Sequence, residues 1–318
     1  MFMCSISWPE AGPGRKTLNL YSQPCRCNFT RAILFALFTL LACPLWAAGE
    51  RLPVWEVRAE NAQVILLGSI HMAYPQIYPL REDLEAAFAA ADVLVVEVDI
   101  SGENAQAIQQ LLMQRGLLPE GESLRQQLSP QTWESLQLYL RSRALPVEAI
   151  ERMRPGLVVT LLSSMRIAEM GMRADQGIDR HFLNLARGVK TVVELETAEQ
   201  QIELLLGFPQ PDLLVAQTLV QLDQIDLHMG PIYDAWRAGD AQQLSRLLLE
   251  DERQRHPEFS AVFEALFDQR NRAMALQVQG FLQSGGHYFV VVGAGHLVGS
   301  EGIIALLQRQ GYTASQWK

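Results

Sequence analysis

Two segments more than two hundred residues apart have the same plan. Val64-Ile65-Leu66-Leu67-Gly68-Ser69-Ile70-His71 is four apolar residues, then Gly-x-x-His. Phe289-Val290-Val291-Val292-Gly293-Ala294-Gly295-His296 repeats it. Histidine is scarce, with six in 318 residues, so two matched contexts point to one shared site. Each apolar run is short and aliphatic, as expected of a buried strand. A chain whose two matching strands lie near opposite ends must bring its termini together in one sheet. That constraint excludes a simple string of local hairpins.

The rest of the pattern fits such a sheet. Val54–Arg58 and Gln63–Leu67 read as two strands around Ala59-Glu60-Asn61. Pro79 to Ala91 has helical spacing, with Glu82, Asp83 and Glu85 early and Leu84 and Phe88 four apart. Val93 to Val98 is a continuous apolar run interrupted only by Glu97, which predicts a parallel pair with the preceding strand through a crossover. Helices are expected near 104–115, from Ser129-Pro130, near 155–170 and near 177–186. Thr191–Leu195 reads as a strand. Helices then fill Ala198 to about Ser284, broken near Pro209, Gly230, Gly239 and Pro257. The end reads strand, turn, helix, strand: Tyr288–Val292, Gly302–Arg309, Tyr312–Trp317. The fold class is α/β (α+β): a central mixed β-sheet built from both ends of the chain, with a large helical insertion over it.

The first 47 residues read as a leader. Arg31 precedes the apolar segment 32–43, and small residues follow through Ala47-Ala48, the pattern of a secretory signal cleaved after Ala47. Leu40-Leu41-Ala42-Cys43 gives a second reading, a lipoprotein anchored through Cys43. The expected localisation is therefore secreted or periplasmic, with membrane attachment only if Cys43 is lipidated. Residues 48–318 read as a single domain, and they contain no second apolar segment long enough to span a membrane. All four cysteines (Cys4, Cys25, Cys27 and Cys43) fall in the leader, so the mature chain has no Cys nucleophile, Cys-ligated zinc or disulfide. The leader holds Arg15, Lys16, Arg26 and Arg31 against Glu10, leaving the remainder more acidic than the chain's net −9. Beyond it only Lys190 and Lys318 are lysines, a surface unsuited to nucleic acid.

Each motif histidine follows the C-terminal end of a strand, where parallel sheets gather catalytic loops. Glu97 sits in an apolar run, and a buried carboxylate needs a partner. On a strand it would share a face with Asp99. Two imidazoles and a carboxylate suit a divalent metal, so His71, His296 and Glu97 are the candidate ligands. The structural alternative is a pair of strand-end histidines, with Glu97 paired to an arginine such as Arg270. Arg270 and Asn271 are candidates to stabilise a developing oxyanion, position substrate or hold Glu97. Asp179 reads as a residue favouring a helix start, and Glu196 equally as a helix cap or as a functional residue. His181, His228, His256 and His287 have no recurrent context. There is no Gly-x-Ser-x-Gly elbow, His-Glu-x-x-His helix or glycine-rich phosphate loop.

These residues carry a resemblance. Leu66-Leu67-Gly68-Ser69-Ile70-His71, Val96-Glu97, Gly177-Ile178-Asp179, Leu195-Glu196-Thr197 with Gln201, Arg270-Asn271-Arg272-Ala273-Met274 and Val292-Gly293-Ala294-Gly295-His296-Leu297 resemble the TraB/GumN family, related to the Tiki domain. The resemblance covers about residues 50 to 318. It implies a central sheet with a helical layer and an active site at the two histidines and the strand glutamate. Animal Tiki proteins are manganese- or cobalt-supported proteases, so it implies a divalent metal, with zinc as a further option. The expected function is a secreted metal-dependent hydrolase acting on a peptide or protein of unknown identity, catalysed by Glu97, Arg270 and Asn271. The competing reading is a non-catalytic periplasmic protein that captures a peptide signal in the same cleft.

Overall fold

The computed structural model describes residues 50–318. The expected leader, its cleavage after Ala47 and any lipidation of Cys43 lie outside the described residues. Six strands are present: β1 (Val54–Ala59), β2 (Ala62–Ser69), β3 (Val93–Val96), β4 (Thr191–Glu194), β5 (Gly286–Gly293) and β6 (Ala314–Gln316). They form one sheet in the order β4-β3-β5-β2-β1-β6. The four strands β4, β3, β5 and β2 run parallel, while β1 is antiparallel to both β2 and β6. The sheet is thus mixed, and both ends of the chain build it.

The expected neighbour relation between β2 and β3 is corrected by this order. The two strands are parallel, but β5 lies between them. Phe289, Val290, Val291 and Val292 of β5 are all buried, and a strand apolar on both faces gains most at the centre of a sheet. Each such side chain contributes about 1.5–3 kcal/mol on full burial. On one part of the sheet, Phe88 of the Glu82–Ala90 helix and Phe182 of the Ile178–Ala186 helix meet Phe289, with ring centroids 5.5 and 4.8 Å away. Met274, Ala275, Val278 and Leu282 of the Gln269–Ser284 helix are buried in the same core.

The helical insertion has a core of its own. Helices Gly102–Gly116, Pro130–Ser142, Pro155–Glu169, Ala198–Leu206 and Pro211–Asp223 bury Leu112, Leu136, Leu140, Val158, Ile202 and Val215 together. Local chemistry sets their starts. The Ser129 side chain accepts from the Thr132 N–H at 3.2 Å with Pro130 at the first helical position. The cap of Ala198–Leu206 is not Glu196, as expected, but Thr197, which exchanges hydrogen bonds with Gln200, while the Glu196 carboxylate is taken by Arg270. The expected break at Gly230 does not occur, because the Ile225–Arg237 helix runs through Gly230 and Pro231. Trp236 within it is fully buried, and that packing outweighs the local propensity. No helix among the described residues is long and apolar enough to cross a membrane.

Candidate active site

The parallel pairing of β2 with β5 sets Gly68 opposite Val292 and Ser69 opposite Gly293. The two Gly-x-x-His motifs therefore leave the sheet side by side. Gly68 permits this closeness: a Cβ there would lie 2.9 Å from Pro53 Cγ and 3.0 Å from Ala294 Cα. Trp236 Nε1 donates to the Gly68 carbonyl at 2.8 Å, and the Ile178 N–H donates to the Ile70 carbonyl at 3.0 Å. These two bonds aim the turn that carries His71. Gly293 marks the meeting point. A Cβ on it would lie 3.3 Å from Glu97 Oε1, 3.5 Å from His296 Cδ2 and 3.9 Å from His71 Nε2. The three residues named from sequence converge on one small volume.

Each imidazole is oriented by an acceptor at Nδ1. His71 Nδ1 lies 2.9 Å from Asp179 Oδ2. Asp179 also accepts a short hydrogen bond from the Ser69 hydroxyl through Oδ1. His296 Nδ1 lies 2.6 Å from Asn271 Oδ1, and Asn271 Nδ2 donates to the Glu301 carbonyl at 2.9 Å. The second bond fixes the amide so that its oxygen faces the ring. Both partners therefore place the proton on Nδ1 and the lone pair on Nε2, the atom nearer the cleft. His296 further packs against Phe267, with ring centroids 5.4 Å apart.

Glu97 lies just past β3, which ends at Val96, so the expected sharing of a strand face with Asp99 does not arise. Asp99 instead accepts from Ser101 and Asn104 at the start of the next helix. Glu97 Oε1 accepts from the Gly293 N–H at 2.6 Å and lies 3.8 Å from His296 Nε2. Its Oε2 accepts from Arg270 Nη2 at 2.8 Å and Gln201 Nε2 at 3.1 Å. Arg270 also grips Glu196 with two N–H groups at 2.7 and 2.6 Å, and gives Nη1 to the Leu266 carbonyl. One guanidinium thus holds two carboxylates in register.

Burial opposes charge on Glu97. The imidazole of His296 when protonated, with the permanent charge of Arg270 at 2.8 Å, outweighs it and holds the carboxyl well below the usual carboxylate range. His296 moves from 6.5 to about 4, mainly by burial, against the pull of Glu97. At neutral pH its ring is therefore uncharged. Burial likewise raises Asp179, but His71 and the Ser69 hydrogen bond keep it below its ordinary value.

The donor set fits a divalent cation in part. Imidazoles tied at Nδ1 with Nε2 towards a cleft are the arrangement metal sites use, including the outer acceptor that fixes each ring. Ligands bound at about 2.1 Å to one ion lie roughly 3–4 Å apart, and the 3.8 Å between His296 Nε2 and Glu97 Oε1 falls within that span. Among the described residues, no three His, Cys, Asp or Glu side chains stand as a closed metal-binding group. Binding would require the three donors to close around an ion.

Beside these groups opens a cavity of about 330 Å³, with Ser69, His71, Gln201, Arg270 and His296 at its polar end. Its remaining walls are mostly apolar, from the Pro155–Glu169, Ala198–Leu206 and Ile225–Arg237 helices and the segment around Leu266.

Of the residues expected from sequence, His71, His296 and Glu97 meet. Arg270 lines the cavity while holding Glu97. Asn271 does not line the cavity: it is buried, with both ends of its amide engaged behind His296, where it orients that ring. Asp179, Glu196 and Gln201 belong to the site, although local context gave Asp179 only a helix-start role and left Glu196 open between cap and functional residue. Asp179 is 108 residues from His71, and no local spacing could expose that pairing.

An α/β protein with two oriented histidines and a clamped carboxylate at the C-terminal ends of parallel strands is the class that fold and site define. Residues 53–316 match the TraB/PrgY/gumN family, and the chain belongs to it. It is 26% identical over 250 residues to the uncharacterised protein YbaP of Escherichia coli K12, covering 78% of this chain and 89% of that protein. It is 24% identical over 312 residues to the metalloprotease TIKI1 of Danio rerio, covering 81% of this chain and 62% of that protein. A metalloprotease TIKI homolog of Nematostella vectensis is 22% identical over 298 residues, with 77% and 63% covered. The chain thus spans less than two thirds of these TIKI relatives. No solved structure matches it.

Proposed function

We propose that this chain is a secreted, periplasm-facing metal-dependent hydrolase that cleaves peptide bonds. The carrying observation is the convergence of His71, His296 and Glu97 around Gly293, with each ring held at Nδ1 by its own acceptor. The TIKI metalloprotease relatives support the same reading. When bound, a divalent ion supplies Lewis acidity and lowers the pKa of water. His71 and His296 hold it through Nε2, and the neutral state of His296 leaves that lone pair available. Glu97 has a depressed proton affinity, which suits cation binding better than proton abstraction. Arg270 keeps Glu97 and Glu196 in place, and Asp179 and Asn271 keep the rings from turning. In the net reaction water adds to the carbonyl carbon, the C–N bond breaks, and the amine leaves with a proton. Manganese and cobalt are the favoured ions, with zinc next.

One observation favours a second reading, capture of a peptide without cleavage. Glu97 already accepts from Gly293, Gln201 and Arg270, and among the described residues the converging donors do not stand closed as a metal-binding group. Calorimetric titration of chelator-stripped chain with manganese, cobalt and zinc, beside incubation with a peptide library, separates them. Hydrolysis predicts one bound ion, at least tenfold weaker binding in His71→Ala and His296→Ala, and new peptide termini only with metal. Equally poor metal binding by all three proteins refutes the metal site. Peptide retention without new termini selects capture.

A further inference from the structure

The cavity beside the histidines has a chemistry that the hydrolase reading leaves unused. Its far wall is formed by Ile167, Met172, Leu204, Met229, Leu248 and Leu266, drawn from six separate stretches of chain. All but Met172 are half-buried, so this wall is reached from the cleft rather than sealed in the core. The charged member of the lining is Arg270, and Glu97 and Glu196 already neutralise it. A charged substrate group entering here would lose its water and gain no counter-ion, which is costly. An apolar group would lose nothing and cover exposed apolar wall. The methionines Met72, Met172 and Met229 give the wall soft, unbranched side chains that repack around different shapes.

Resting on the reading of this site as one for peptides, we propose that the cavity is a specificity pocket. It takes a large apolar side chain, leucine, methionine or phenylalanine, adjacent to the bond presented to His71 and His296. The occupant is a peptide side chain rather than a free acyl chain, because the polar end of the cavity is the catalytic cluster itself. A group reaching the apolar wall must be joined through a short link to a carbonyl at that cluster. A volume of about 330 Å³ is at the small end of ligand sites, enough for one such side chain and its neighbour but not an extended lipid.

Binding can be measured without catalysis, so this proposal and the hydrolase reading fail separately. Metal-free chain is titrated calorimetrically with capped Gly/Ser heptapeptides carrying one central Leu, Met, Phe, Ser, Asp or Lys. The three apolar peptides should bind at least tenfold more tightly than the other three. Met229→Trp, which fills the pocket from its apolar wall, should abolish that preference. Leu204→Asp should shift preference towards the Lys peptide. Circular dichroism confirms that each variant is folded. Equal binding of the Leu and Asp peptides overturns the pocket, as does a preference unchanged in both variants. An octanoyl amide that binds more tightly than the Leu peptide overturns the choice of a peptide side chain.

Discussion

His71 and His296 stand on identical sequence motifs at the ends of neighbouring parallel strands, yet their surroundings differ. The His71 side chain is 27% exposed and is held by a carboxylate, Asp179. The His296 side chain is 6% exposed and is held by a neutral amide, Asn271, with Phe267 against its ring. An ionised partner strengthens a hydrogen bond to imidazole, whereas an amide orients the ring without charge. The pair therefore offers one solvent-facing nitrogen ligand backed by a carboxylate and one dry ligand backed by an amide. A symmetric motif has been placed in an asymmetric site, with one ring open to solvent and one enclosed.

The largest effect expected is on the rings themselves. His71→Ala and His296→Ala should each lower peptide hydrolysis by about a thousandfold or more. Steady-state rates with saturating manganese check this. If one variant keeps more than a tenth of the activity, the two histidines do not share a function.

Acid should strike the inner histidine next. The folded-state pKa of His296 is lowered from 6.5 to about 4, so unfolded chain binds that proton first between those values. Its contribution is complete above pH 6.5 and is lost as pH falls towards 4, by about 3 kcal/mol in all. Glu97, also depressed, adds to the loss at lower pH. Urea unfolding of metal-free chain across pH 4–7 should show this slope, and His296→Phe should flatten its upper part.

The orienting residues come third. Asp179→Asn and Asn271→Ala should each reduce metal affinity and activity by about 10- to 100-fold. Adding excess metal should restore part of the rate. Asn271→Ala should also destabilise the fold, since it leaves His296 Nδ1 and the Glu301 carbonyl without their partner. Equal stability losses in the two variants would dissolve the distinction between outer and inner histidine. The smallest effect belongs to Ser69→Ala, which removes one hydrogen bond to Asp179 and should cost about 1.5 kcal/mol of unfolding free energy.

Much of this was legible in the sequence because it is local. The apolar runs of β2, β3 and β5, the capped start at Ser129, and the turns at Gly68 and Gly293 depend on neighbours in the chain. The helix through Gly230 and Pro231 was not legible, since buried Trp236 and its bond to Gly68 settle that segment from a distance. Nor was the insertion of β5 between β2 and β3, because strand order is a competition among apolar strands for the centre of the sheet.

Sequence alone picked out the side chains that converge at the candidate site: two scarce histidines in repeated turns and one glutamate in an apolar run. It also determined the fold class, because hydrophobic periodicity is a local property. Only the tertiary structure decided how these residues differ. Hydrogen-bond partners 25, 104, 108 and 173 positions away choose the tautomers and hold the carboxylate, and burial lowers the proton affinity of His296. Those are consequences of burial and distance in space, which residue order does not carry.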